Sequence, residues 1–314
     1  MYEDSLSLAL GAVPVFAYGG MIALGLALLL LAMFSLRKKH GLTGDNVLVY
    51  GVIALPLSLV CARILFCLLD FNFHSVFSLR AVVSFWGGGF SMVGALIGLA
   101  LAALIVGKVQ KICPLRLLDA ASVGILLFMA CARLGEPFTE LLGRSRPLVS
   151  EAFQNSFLAM GDEYDAYLRT YAIEAVAALL IALRLVFFQK KQRKAGDVFL
   201  MFLLLMGCAE TLLYSLRFDA HMRYSFISMQ QLLFAAAFAV PLFIFALRCG
   251  KRANKKAPFF TALGIMVVAS GLAVWLEFLI DRSGVSRILL YALYLILLSV
   301  PAVAGCIFYK RSQA

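Results

Sequence analysis

The chain reads as an all-α, polytopic integral membrane protein with about nine transmembrane helices. Hydrophobic residues make up 63% of its 314 positions and charged residues only 14%. Mean hydropathy is +0.95, more apolar surface than a water-soluble domain can hide. Apolar runs of roughly 20 residues, enough to cross about 30 Å of hydrocarbon, recur along the whole length, and most end at basic clusters.

The first run, 13–36, follows a short acidic start and stops at Arg37-Lys38-Lys39. Met1–Ser7 is acidic and no small-residue cleavage site follows, so a retained span is expected rather than a signal peptide. The second, 46–69, carries Arg63 toward its end. The third, 87–107, is glycine-rich and ends at Lys108. The fourth, 117–135, bears Asp119 and Arg133. The fifth, 170–189, bears Glu174 and Arg184 and ends at Lys190-Lys191. The sixth, 197–216, bears Glu210; the seventh, 227–248, runs into Arg248. The eighth and ninth, 259–280 and 287–309, follow the basic linker Lys251–Lys256. This divides the chain into a seven-span core, 1–250, and a linker plus two-helix hairpin, 251–314.

Loop charge sets the orientation. Most of the 28 lysines and arginines cluster in the loops after alternate spans and at the end of the chain, while the other loops carry basic charge only as arginine. The positive-inside rule then puts the N-terminus outside and the C-terminus in the cytoplasm. The formal charge of +11 therefore belongs beside an anionic leaflet and does not indicate nucleic acid. Two outer segments, 70–86 and 136–169, are long enough for structure; the first, with its aromatics, His74 and Arg80, is expected to lie along the interface. The 7 cysteines are scattered without a CxxC pair, which indicates neither a disulfide framework nor a zinc site.

Within that orientation Arg63, Arg133, Glu136, Glu140, Glu174, Glu210 and Arg217 fall near the outward ends of their spans. Ionisable groups at membrane depth are costly and mark a pathway or a reaction site. Seven at one level predict one polar chamber. Three strings contribute to it. In Ala132–Arg144, Arg133, Glu136 and Glu140 follow helical spacing on one face, and Pro137 breaks the helix close to the interface. In Glu210–Asp219, Glu210, Tyr214 and Arg217 make one stripe of the sixth span. An arginine beside the headgroups fits phosphate in a bidentate way, although Arg217 alone is equally well explained by snorkelling. In Phe85–Gly98, helix packing accounts for Gly94 and Gly98; the triple glycine Gly87-Gly88-Gly89 weakens a helix where one should start. Histidines occur only in loops, and no GxSxG, HExxH or Walker A motif is present. The sequence calls for no metal and no cofactor.

Together and in order, these strings resemble the prolipoprotein diacylglyceryl transferase family over roughly 13–248. The family signature Gly-Arg-x-x-Asn-Phe-x-Asn-x-Glu-x-x-Gly is similar to Arg133, Phe138, Glu140 and Gly143, with one residue fewer between Arg133 and Glu140. The family's Trp-x-Gly-Gly-Met-Ser-Phe-His-Gly-Gly-Leu-Ile-Gly resembles Gly88 through Gly98. Its early Tyr-Gly resembles Tyr18-Gly19, and its late arginine stripe resembles Glu210 through Arg217, with Gln231-Leu232-Leu233 beyond. Val93 stands at the family's histidine, Glu136 at its signature asparagine, Glu210 at an arginine and Tyr214 at a glutamate.

The resemblance implies transfer of a diacylglyceryl group from phosphatidylglycerol to the lipobox cysteine thiol of a prolipoprotein at the outer leaflet of a bacterial plasma membrane. It implies as partners phosphatidylglycerol, or a related anionic phospholipid, and the prolipoprotein signal peptide. It implies catalytic roles for Arg133, Glu140 and Tyr18, and Glu136, on the same helical face, is expected to share in orienting the arginines or accepting the thiol proton. Substrate contacts would come from Arg217, Gly143, Gly88, Gly89, Glu210, Tyr214 and Arg63. A shared phosphate clamp requires Arg133 and Arg217 within about 12 Å of each other. Two other readings stand beside it: a homologue that binds a phospholipid or lipopeptide without transfer, and a small-molecule transporter, which would need polar residues along the whole depth.

Overall fold

A computed structural model describes residues 7–10, 13–69, 82–83, 89–138, 144–148, 151–161, 166–191, 193–217 and 223–313. Among them, nine helices are long and apolar enough to cross a membrane. They are α1 (Ala17–Leu36), α2 (Gly44–Leu69), α3 (Met92–Val109), α4 (Pro114–Gly135), α5 (Thr170–Phe188), α6 (Asp197–Leu216), α7 (Met229–Ala253), α8 (Ala257–Arg282) and α9 (Arg287–Gln313). The fold is that of an all-α, multi-pass membrane protein, and the spans start and stop close to where the apolar runs do. Large apolar side chains such as Leu31, Val52, Leu104, Leu180 and Val267 stay exposed, as lipid-facing positions must.

Short antiparallel strands occur in several of the segments between the spans. β1 (Ser7–Leu10) pairs with β2 (Val13–Phe16), so residues 13–16, expected to begin the first span, form a hairpin strand before it. β3 (Arg144–Pro147), β4 (Ala159–Gly161) and β5 (Ala166–Arg169) form a sheet in the order β3-β5-β4. β6 (Arg223–Tyr224) pairs with β7 (Ile227–Ser228). Residues 70–81 and 84–88, most of the expected interfacial segment, lie outside the described residues.

The chain forms two compact units. The first comprises Met1–Ile64, Gly94–Phe199 and Leu216–Ala220; the second comprises Leu65–Val93, Leu200–Ser215 and His221–Ala314. These units follow other lines than the linker at 251–256.

In the first unit α4 is central. The best apolar window of α4 is 72% buried, against 11% for α1, and α4 packs against both α1 and α5. Its small residues permit this. Gly124 lies so near the α1 backbone that a Cβ would come within 2.8 Å of the Leu29 carbonyl, the close approach that small residues allow between membrane helices. Gly98 of α3 does the same against Ser58 of α2, where a Cβ would collide with the Ser58 Cα.

Asp119, a charge within the fourth apolar run, is 2% exposed. Its carboxylate accepts the N–H groups of Gly196 and Phe199 at 2.7 and 2.8 Å. It thereby caps the start of α6, where orphan amides and the helix dipole favour a negative charge.

In the second unit α7, α8 and α9 pack on one another, around Leu276, Ile280, Leu290, Tyr294 and Leu298. A buried polar hub joins them. Gln231 Nε2, with two N–H groups to share, lies within hydrogen-bond distance of Glu277 Oε1 at 2.6 Å, Tyr294 Oη at 3.0 Å and the Thr211 carbonyl at 3.0 Å. The start of α3 is capped from α7: the Gln230 side-chain carbonyl accepts the N–H groups of Met92 and Val93 at 3.1 and 3.2 Å, while its amide donates to Ser91 Oγ at 2.9 Å.

Candidate active site

The site is built where α4 ends. After Gly135 the chain tightens into a single 3-10 turn, Glu136–Phe138, so Pro137 sits past the regular helix, where its missing N–H costs nothing. Arg133 and Glu136 remain three residues apart and meet, with Arg133 Nη1 on Glu136 Oε1 at 2.6 Å. Glu174, in the second turn of α5, receives Arg133 Nε on Oε2 at 2.8 Å.

Arg217 closes the ring. Its Nη1 reaches the same Glu174 Oε2 at 2.6 Å, and its Nη2 reaches both Glu136 oxygens at 3.1 Å. Sequence spacing puts Arg217 on the α6 stripe with Glu210 and Tyr214, and here the structure corrects it. Helix α6 stops at Leu216, and the Arg217 backbone instead bridges to Ser145 of β3. Ser145 Oγ in turn accepts the Leu168 N–H of β5 at 2.7 Å. A segment between two spans thus seats the second guanidinium.

Among the described residues, two guanidiniums and two carboxylates alternate in a ring of ion pairs. Glu136, Glu174 and Arg217 are 4%, 1% and 5% exposed. Removing such ions from water costs several kcal/mol each, an expense offset only by near-ideal pairing, and each of these carboxylates bridges both arginines. The Arg133 side chain, at 14%, is the most exposed of the four. Both arginines share one carboxylate oxygen, which brings their donors within reach of a common phosphate.

Tyr18 stands beside the ring, within electrostatic reach of Glu136, Arg133 and Arg217. Gly135 makes room for it: a Cβ there would lie 3.0 Å from Tyr18 Cδ2 and 3.0 Å from Met21 Cβ.

The structure therefore brings together Tyr18, Arg133, Glu136 and Arg217, and adds Glu174, which sequence reasoning placed in the chamber but gave no role at the site. Its depth in α5 was the available signal; its partners were not. Arg63 is buried on α2 of the first unit, at 2%. Glu210, 3% exposed, and Tyr214, whose ring lies 5.7 Å from that of Phe234, belong to the second unit. So does Gly89, which takes φ +79° and whose Cβ would strike the Phe66 ring, two constraints that only glycine meets. Glu140, Gly143 and Gly88 lie outside the described residues.

The model of one family, prolipoprotein diacylglyceryl transferase, matches residues 5–247. Similar curated proteins carry the name phosphatidylglycerol–prolipoprotein diacylglyceryl transferase. One from Oceanobacillus iheyensis is 25% identical over 237 residues, covering 73% of this chain and 82% of its own. One from Clostridioides difficile is 27% identical over 220 residues, covering 70% and 85%. One from Bacillus licheniformis is 26% identical over 224 residues, covering 70% and 83%. The family match stops short of α8 and α9 and takes in every member of the arginine–glutamate ring. The chain belongs to the prolipoprotein diacylglyceryl transferase family.

Proposed function

We propose that this chain transfers a diacylglyceryl group from phosphatidylglycerol to the lipobox cysteine of a prolipoprotein, in a bacterial membrane and on its extracytoplasmic side. The sulfur forms a bond to the terminal glyceryl carbon, the carbon–oxygen bond to phosphate breaks, and glycerol phosphate departs with the bonding electrons. A thiol titrating near about 8.5 needs a base, and the departing phosphate gathers negative charge that preorganised donors stabilise.

The observation that supports this reading is the meeting of Arg133 and Arg217 on one oxygen of Glu174. Two forked donors converge there, held by carboxylates that a phosphate would partly replace. In this reading Arg133 and Arg217 hold the phosphate. Glu136 or Glu140 accepts the thiol proton, Glu174 fixes the two guanidiniums and Tyr18 donates a hydrogen bond.

Expression in bacteria depleted of their own transferase restores lipidated lipoprotein on this reading. Absence of rescue by a normally inserted protein overturns it. The engagement of both arginines by carboxylates favours one second reading, a homologue that holds a phospholipid or lipopeptide without transferring it. That protein binds phosphatidylglycerol in vesicles yet never rescues.

A further inference from the structure

The second unit holds a cavity that the transferase reading does not use. At the junction of α7 and α8, against the end of α9, a space of about 570 Å³ opens among Arg252, Lys255, Arg311, Cys249, Pro258 and Phe308. Its geometry follows from a sharp reversal. Asn254 takes a left-handed conformation, φ 51°, and its N–H closes α7 onto the carbonyls of Gly250 and Lys251. The Lys255 N–H returns to the Gly250 carbonyl at 3.0 Å, and α8 starts at once with Ala257-Pro258. The ends of α7 and α9 are tied together, since Arg252 Nη1 donates to the Ser312 carbonyl at 3.3 Å.

The lining is split by chemistry. Phe308 and Cys249 are 7% and 5% exposed and with Pro258 make an apolar wall. Arg252, Lys255 and Arg311 are exposed cations at the mouth, and no carboxylate is among the lining residues. Basic side chains in a loop serve topology without any cavity. An apolar recess rimmed by three cations between membrane helices has a further fit, a phosphate head with its acyl chains beside the apolar surface.

We propose that this cavity binds the phosphate head of an anionic phospholipid from the leaflet that the loop charges assign to the cytoplasm. The phosphate sits between Arg252, Lys255 and Arg311, and the glyceryl and upper acyl carbons lie against Phe308 and Pro258. The site stands on residues beyond the family match and is separate from the arginine–glutamate ring.

The test uses the whole chain in phosphocholine nanodiscs containing a minor fraction of phosphoglycerol lipid with a photoactivatable group near its head. After illumination and proteolysis, labels map to peptides within 249–261 and 308–311. Arg252→Gln with Arg311→Gln lowers labelling there about tenfold. Lys251→Gln with Lys310→Gln removes equal charge from outside the lining and leaves it unchanged. The same probe with a choline head does not label the cavity, and millimolar soluble glycerol phosphate does not displace the anionic lipid. No label at these peptides, equal labelling by the choline probe, or equal loss in both double variants overturns the proposal. Full displacement by soluble glycerol phosphate overturns the lipid assignment in favour of a free phosphate ester. Lipoprotein rescue is unaffected by either double variant, so this outcome and the transferase reading are judged separately.

Discussion

Arg133 and Arg217, one at the end of α4 and the other just past the end of α6, donate to the same oxygen, Glu174 Oε2, at 2.8 and 2.6 Å. A carboxylate oxygen shared in this way fixes the distance between two guanidiniums before any ligand arrives. In the proposed reaction these are the donors that would hold the phosphate.

If that arrangement matters for turnover, charge alone cannot replace it. Arg217→Lys keeps the cation but loses the planar fork. Lipidation is expected to fall about a hundredfold, read as the initial rate of diacylglyceryl transfer from labelled phosphatidylglycerol in vesicles. A lysine variant with the wild-type rate would show that the fork is dispensable.

Glu174 is the deepest of the four ring members, and it bridges both arginines. Glu174→Gln removes the carboxylate that pairs with both guanidiniums and is expected to cost about 3–5 kcal/mol. Adding Arg217→Gln removes one of those two guanidiniums and recovers part of the loss. A double-mutant cycle on thermal unfolding in detergent measures the coupling; additive losses would mean that the two do not act as a unit.

Gly135 sets the position of Tyr18. Valine at 135 drives side-chain carbon into Tyr18 and Met21, so Gly135→Val is expected to insert normally and lose more than about tenfold in transfer rate, since small displacements of reacting groups carry large penalties. Tyr18→Phe should show a loss of similar order with an unchanged melting temperature.

The Asp119 cap serves α6. Asp119→Ala removes the acceptor for two amides at the helix start and is expected to destabilise the protein by about 1–2 kcal/mol. Hydrogen exchange at Gly196 and Phe199 should accelerate before that of the helix centre.

The Gln231 hub joins the family core to α8 and α9. Tyr294→Phe removes one hydroxyl and costs about 1 kcal/mol. Gln231→Leu costs more, because it removes the amide that serves both Glu277 and the Thr211 carbonyl in the buried hub. Reversal of that order in detergent melts would argue against the hub.

The spans were legible because lipid enforces a simple code of length and apolarity, and α1 through α9 follow it within a few residues at most ends. The helical spacing that brings Arg133 to Glu136 was legible locally, and the resemblance singled out Tyr18 and Arg133. Arg217 was placed on a helix that stops one residue before it. Helical periodicity carries no warning of that stop, since the cause is a backbone pairing with Ser145, distant in sequence. Glu174 gave its depth and not its partners, because ion pairs between separate helices leave no pattern along a chain. The Gln230 cap and the cavity at the α7–α8 turn were silent for the same reason.

The hub at Gln231 has a consequence for biogenesis. Two of the acceptors that satisfy this seventh-span amide, Glu277 and Tyr294, are made only when the ribosome reaches the last two spans. A nascent protein halted at residue 256 holds a polar side chain in the bilayer with those two partners missing. Quality-control proteases should recognise such a fragment, so the hairpin acts as a seal on assembly as well as a structural addition.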